Sequence, residues 1–243
     1  MKVFSVLGKP IETQVTIEKI IHELRRRNYS VGLIKDNSQT AYKRTAESNS
    51  PKDKAQIISF VDDHKTDISY AKRVSINELL RIYDQDFVIL DGIKDYNVPR
   101  IIAASKQEDI PDFWDERTFA ISDTIDKSLS ESEDLPVFNI QNNISELVDL
   151  VEDMVFEPLP DFPTQCCGVC GSSCQKLCAD ILKGHAKRSD CPLEQNKVTL
   201  KINEKEIPMV PFVQRILQNA VIGVVSELDG YRFNGQIEIC IKE

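Results

Sequence analysis

The chain has 243 residues, 41% of them hydrophobic and 28% charged, with a formal net charge of −9. That composition fits a soluble globular protein with one large domain, or one domain joined to a small one. The acidic balance argues against nucleic acid or an anionic membrane as main partner. No run approaches the roughly 20 apolar residues that span a bilayer.

The opening residues MKVFSVLG are too short for a secretory leader, so a cytoplasmic location is expected. Residues 3–7 read as a β-branched strand running into Gly8. Ile17, Ile20, Ile21 and Leu24 follow at helical spacing, and 31–34 read as the next strand. Strand, tight loop, helix, strand is one βαβ unit, so a parallel sheet is expected. Residues 36–54 are polar and read as a mobile loop. Short strands are expected at 57–61 and 68–74. Ser75-Ile76-Asn77-Glu78 has the capping-box pattern that opens a helix, here to about Tyr83. The apolar run 87–90 suits the buried centre of a parallel sheet and ends at Asp91-Gly92. Further strands are expected at 119–122 and 137–139, then a helix over 144–155.

Pro158, Pro160 and Pro163 mark a domain boundary. The expected organisation is a first domain at 1–157, a cysteine module at 163–193 and a small ββαβ tail at 196–243. In the tail, 198–202 alternates, 203–206 turns and 212–228 has a helical apolar side. Ile237, Ile239 and Ile241 alternate like a half-buried strand.

A phosphate-binding loop needs G-x-x-x-x-G-K-[ST] between strand and helix, so that backbone N–H groups, a Lys and a hydroxyl meet phosphate and magnesium. Gly8 stands where the first glycine belongs. Thr13 replaces the second glycine, Gln14 the Lys and Val15 the hydroxyl, and Glu12 adds negative charge. Lys9 is the one nearby cation, and Asp91 ends its strand like a magnesium-holding acid. Nucleotide hydrolysis is not expected. Gly8, Lys9 and Asp91 mark a degenerate nucleotide site, and no nucleophile or general-base set is visible.

Cys167, Cys170, Cys174 and Cys191 are spaced C-x2-C-x3-C-x16-C, with Cys166 and Cys178 beside them. Seven cysteines in a chain without an export signal point to metal ligation more than to disulfides. Gly168 and Gly171 let backbone N–H groups turn toward cluster sulfides, which favours an iron–sulfur cluster over zinc. Zinc is the alternative, with His185 available to it. The first ligand is Cys167 or Cys166. Cys178 reads as buried packing near the centre, and Cys240 as a bystander.

The stretches MKVFSVLGKP, TIEKIIHELRRRNYSVGLIKD, SINELL, DFVILDGIKDYNVPRII and DLPVFN resemble the molybdopterin-guanine dinucleotide biosynthesis protein B family. The family's phosphate loop is altered here, Asp36 stands where it has His, and Asp91 where it has Glu. The resemblance implies an α/β, three-layer phosphate-loop-like fold with a mostly parallel sheet. It implies GTP-binding ancestry and a usual dimer, hence a homodimer. Cys167-Gly168-Val169-Cys170-Gly171, Cys174, Ala179-Asp180-Ile181 and Cys191-Pro192 resemble a small 4Fe-4S domain of redox and corrinoid proteins, with three residues rather than four between the second and third ligands. The expectation is an accessory protein of molybdenum or tungsten pterin cofactor biosynthesis or delivery, partnered by a cofactor-maturation or redox enzyme. The alternatives are an iron–sulfur electron-transfer or redox-sensing protein, and a zinc-stabilised adaptor.

Overall fold

The structure, a computed structural model, describes residues 1–36, 57–70, 72–125, 129, 135–160, 172–191, 198–203, 205–207, 209–229, 231 and 237–241. It divides into two compact units, Met1–Pro158 and Leu159–Glu243.

The first unit is built on β1 (Lys2–Gly8), β2 (Val31–Lys35), β5 (Phe87–Asp91), β6 (Arg100–Ala104), β7 (Thr118–Asp123) and β8 (Val137–Asn139). They form one sheet in the order β2-β5-β1-β6-β7-β8, and every pair in it is parallel. The mostly parallel α/β sheet expected from the βαβ pattern is present. β5 and β6 are buried along their whole length, as strands covered on both faces must be. Helix α1 (Pro10–Arg26) crosses from β1 to β2 and packs on β1, β6 and helix α3 (Ile144–Met154). Val3, Ile34, Val88 and Leu90 belong to one core cluster with Leu80, Ile93, Tyr96 and Val98. Leu80 closes helix α2 (Ile76–Leu80), whose capping box forms as its sequence requires: Ser75 Oγ accepts from Glu78 N, and Ser75 N donates to the Glu78 carboxylate. Ile102, Ala104, Ile110 and Ile121 make a further cluster under a 3-10 turn at Gln107–Asp112.

Some elements differ from expectation. β6, a central strand, has no counterpart in the sequence reading. The hairpin of β3 (Ile57–Val61) and β4 (Thr66–Tyr70) is antiparallel, with its second strand shifted toward the N-terminus, and it forms a separate sheet. Apart from Asp36, the expected loop at 36–54 lies outside the described residues.

The second unit contains α4 (Cys174–Leu182), an antiparallel hairpin of β9 (Leu200–Ile202) and β10 (Lys205–Ile207), and α5 (Pro211–Val225). Residues 237–241 carry no regular secondary structure here, and Ile237, Ile239 and Ile241 are exposed.

Candidate functional site

Gly8 and Asp91 both end strands at the carboxyl edge of the sheet, where α/β proteins bind ligands. Lys9 follows directly. β1 and β5 are neighbours, and Gly92 N donates to Val6 O at 3.1 Å, so the three positions share one edge.

What surrounds them is not a phosphate cradle. α1 begins at Pro10, one residue past Lys9, so residues 10–15 are helix where a phosphate loop would be open chain. Pro suits that first helical position, because its fixed φ matches the helix and its missing N–H would have no partner there. Thr13 N already donates to Lys9 O at 3.0 Å, and the Gln14 amide donates to Glu18 at 2.9 Å. Lys9 Nζ lies 2.7 Å from Asp109 Oδ2 on the 3-10 turn, a pairing that, with the nearby acids, raises the Lys9 pKa. Glu12 accepts from Ser105 Oγ at 2.8 Å. Asp91 Oδ2 meets Lys35 Nζ at 2.9 Å, at the end of β2. Lys9, Glu12, Lys35 and Asp91 therefore each face an opposite charge or a hydroxyl from the same unit.

Gly8 has a steric reason of its own. A Cβ there would lie 2.1 Å from the carbonyl oxygen of Ala103 on β6, far inside any contact distance. The glycine lets β1 and β6 run side by side and needs no ligand to explain it. Nearly two turns into α1, the Thr16 and Ser122 hydroxyls meet at 2.9 Å, both fully buried, and join the helix to the end of β7. Neither residue stands out in the sequence, and the buried face of α1 carries Thr13 and Glu23 as well, so no local pattern singles out Thr16.

The candidate metal ligands are only partly described. Cys166, Cys167 and Cys170 lie outside the described residues. Cys174 is the first residue of α4, behind Ser173, whose hydroxyl caps the helix by accepting from Lys176 N at 3.1 Å. The positive end of a helix favours the thiolate form a metal needs. Cys178 sits one turn later with no solvent exposure, and Cys191, after a 3-10 turn at Arg188–Asp190, is also buried. Among the described residues, no three His, Cys, Asp or Glu side chains form a group able to hold a metal ion. No helix among them is long and apolar enough to cross a membrane.

No protein-family model matches the chain. Two Bacillus subtilis MobB structures superpose on 64% of this chain and 99% of their own, with TM-scores of 0.55 and 0.51 at 18% identity. Over that part, the fold is that of MobB. A Methanocaldococcus jannaschii protein named as a molybdopterin-guanine dinucleotide biosynthesis adapter is 24% identical over 238 residues, which covers 95% of this chain and 93% of that one. The sequence likeness thus runs along nearly the whole chain, and the MobB fold across its larger part.

Proposed function

We propose that this chain is an accessory adapter of molybdenum or tungsten pterin cofactor biosynthesis or delivery. It would carry a 4Fe-4S cluster in its second unit and keep a nucleotide edge that no longer performs GTP chemistry. The observation that carries the reading is the state of the sheet edge. An adapter scaffold needs the fold but not the hydrolysis, and here α1 starts before a loop can form while Asp109 and Asp91 hold the two nearest cations. The likeness to an adapter along almost the whole chain agrees with that role.

Cys170, Cys174, Cys191 and Cys167 (or Cys166) would hold the cluster, with the helix end at Cys174 favouring thiolate. When bound, such a cluster supplies a one-electron couple and a rigid centre for the second unit. Chemically, four cysteines with two glycines in the turn suit it.

Anaerobic purification with iron, acid-labile sulfide and zinc quantified tests the metal. Iron and sulfide in equal amounts support the cluster, whereas zinc without sulfide selects the zinc-stabilised adaptor. Calorimetric titration with GTP and with the pterin cofactor tests the adapter role. Pterin binding without GTP hydrolysis is expected. A reversible one-electron couple in a protein that binds neither compound would select the electron-transfer reading.

A further inference from the structure

Among the described residues, the second unit leaves three apolar surfaces open. The β9–β10 hairpin has only two strands, and such a pair is marginal in water until a third strand or a helix covers it. Its Ile202 is exposed. None of the described side chains of α5 is buried, although Phe212, Val213, Ile216 and Val224 lie on it, Val224 at 68% exposure. A helix in water draws most of its stability from burying such a face. The third surface is at 237–241, where Ile241 is 82% exposed.

We infer that residues 237–241 close onto the free edge of β9 as an antiparallel third strand, and that α5 lies across the sheet so completed. The pattern of residues selects one register. With Lys201 opposite Glu238, the facing pairs are Val198–Ile241, Leu200–Ile239 and Ile202–Ile237 on one face, and Thr199–Cys240 and Lys201–Glu238 on the other. Apolar meets apolar at all three positions, and the single charge pair is of opposite sign. A slip of one residue sets Lys201 against an isoleucine and sends the apolar set to the wrong face. A slip of two loses an apolar pair and the charge pair.

Chain direction agrees. β9 and β10 are antiparallel, so a strand–helix–strand crossover from β10 through α5 brings the tail back parallel to β10 and antiparallel to β9. Residues 226–236 connect α5 to the tail. Those residues reach up to about 36 Å extended, while a helix of α5's 15 residues is about 22 Å long. The connection is long enough to run back along the whole helix. Closed in this way, the tail hides the β9 edge, otherwise a template for strands of other chains.

Cys240, an exposed free thiol, stands opposite Thr199 in this register and supplies the test. In the full chain, Thr199→Cys should form a disulfide with native Cys240 on treatment with diamide. Two thiols are oxidised to one disulfide, and their protons and electrons reduce the azo reagent to a hydrazine. Peptide mass spectrometry without reduction identifies the bond. Lys201→Cys, diagonal to Cys240 and beyond disulfide reach, should react at least about tenfold more slowly. Equal rates overturn the register. A bond joining two chains, seen as a dimer on a non-reducing gel, assigns the tail to a second copy and overturns closure within one chain. Hydrogen exchange of the unmodified chain gives an independent reading: amides 237–241 should be protected, and Ile239→Asp should abolish that protection with the far-UV circular dichroism essentially unchanged. Exchange within seconds in the unmodified chain, or protection that survives Ile239→Asp, overturns the proposal.

Discussion

The two units solve the problem of stability differently. Met1–Pro158 buries large side chains in quantity, among them Phe4, Leu7, Ile20, Ile89, Ile101 and Leu147, around a sheet covered on both faces. Among the described residues of Leu159–Glu243, the buried apolar set is Leu159, Leu177, Cys178, Ala179, Cys191 and Met209, and two of these six are thiols. Charge divides the same way. Residues 1–158 hold 20 Lys and Arg against 29 Asp and Glu, while 159–243 hold 10 of each, so the whole net charge of −9 belongs to the first unit. Among its described residues, so small a buried set does little to offset the entropy of ordering the chain, and a staple would add to it. Under the proposed function, metal–thiolate bonds would be that staple.

The largest expected effect tests that dependence. Cys170→Ser or Cys191→Ser should abolish bound iron and sulfide, unfold the second unit to limited proteolysis, and leave the melting of the first unit in place. A second unit that resists protease as the unsubstituted chain does, after losing its metal, would break the contrast.

The converse substitution is Phe4→Ala. Phe4 has no solvent exposure, and removing a buried Phe costs about 3–5 kcal/mol through lost burial and the cavity left behind. Denaturant unfolding should show that loss in the first unit, while iron and sulfide content stays near that of the unsubstituted chain.

Much of the first unit is legible in sequence, for physical reasons. The run 87–90 is apolar throughout because β5 is covered on both faces, and Ile17, Ile20 and Leu24 keep helical spacing because one face of α1 meets the sheet. β6 escapes the same reasoning. It begins with a buried Arg100, ends in two alanines of weak strand preference, and follows a proline. Its Arg is tolerated because the guanidinium pairs with Asp115 and donates to Lys94 O, contacts made across distances in sequence that no local pattern reveals. At the candidate nucleotide edge, the changed residues at 13–15 signal a lost loop. The partners that occupy the edge, Asp109 for Lys9 and Lys35 for Asp91, depend on folding.

A smaller effect is expected where α1 meets α3. Arg27 donates to Glu23, Asp149 and Glu152 and to both oxygens of Ser145. Its side chain is mostly buried, so Arg27→Ala should cost about 1–2 kcal/mol, between an exposed pair and a buried one. Glu23 makes the network depend on pH. Hydrogen bonds from Arg26, then from Arg27, outweigh burial and hold its carboxyl at about 2, against an ordinary value of 4.5. The folded value lies below the unfolded one, so this stabilisation is complete above about pH 4.5 and is lost as pH falls toward 2. The stability difference between the native chain and Glu23→Gln should therefore be steady near neutrality and shrink across that window. A constant difference down to pH 2 would place the effect of the substitution in packing instead.

The smallest expected effect is at Ser75. Its hydroxyl accepts from Glu78 N at 3.2 Å and donates to the Glu78 carboxylate at 2.9 Å, while Ser75 N donates to that carboxylate at 3.1 Å. Ser75→Ala removes the first two contacts and keeps the third, a loss of about 1 kcal/mol for an exposed cap. The helix it opens is only one turn and a half long, so its place is held by Leu80 and by the partly buried Ile76 and Leu79 against the core, not by its own hydrogen bonds. Ser75→Asn keeps a capping oxygen and should recover most of the loss in denaturant unfolding. Failure of Asn to recover it, with Leu80→Ala costing no more than Ser75→Ala, would mean that local hydrogen bonding rather than core burial fixes this segment, and would remove one of the supports for calling the first unit self-sufficient.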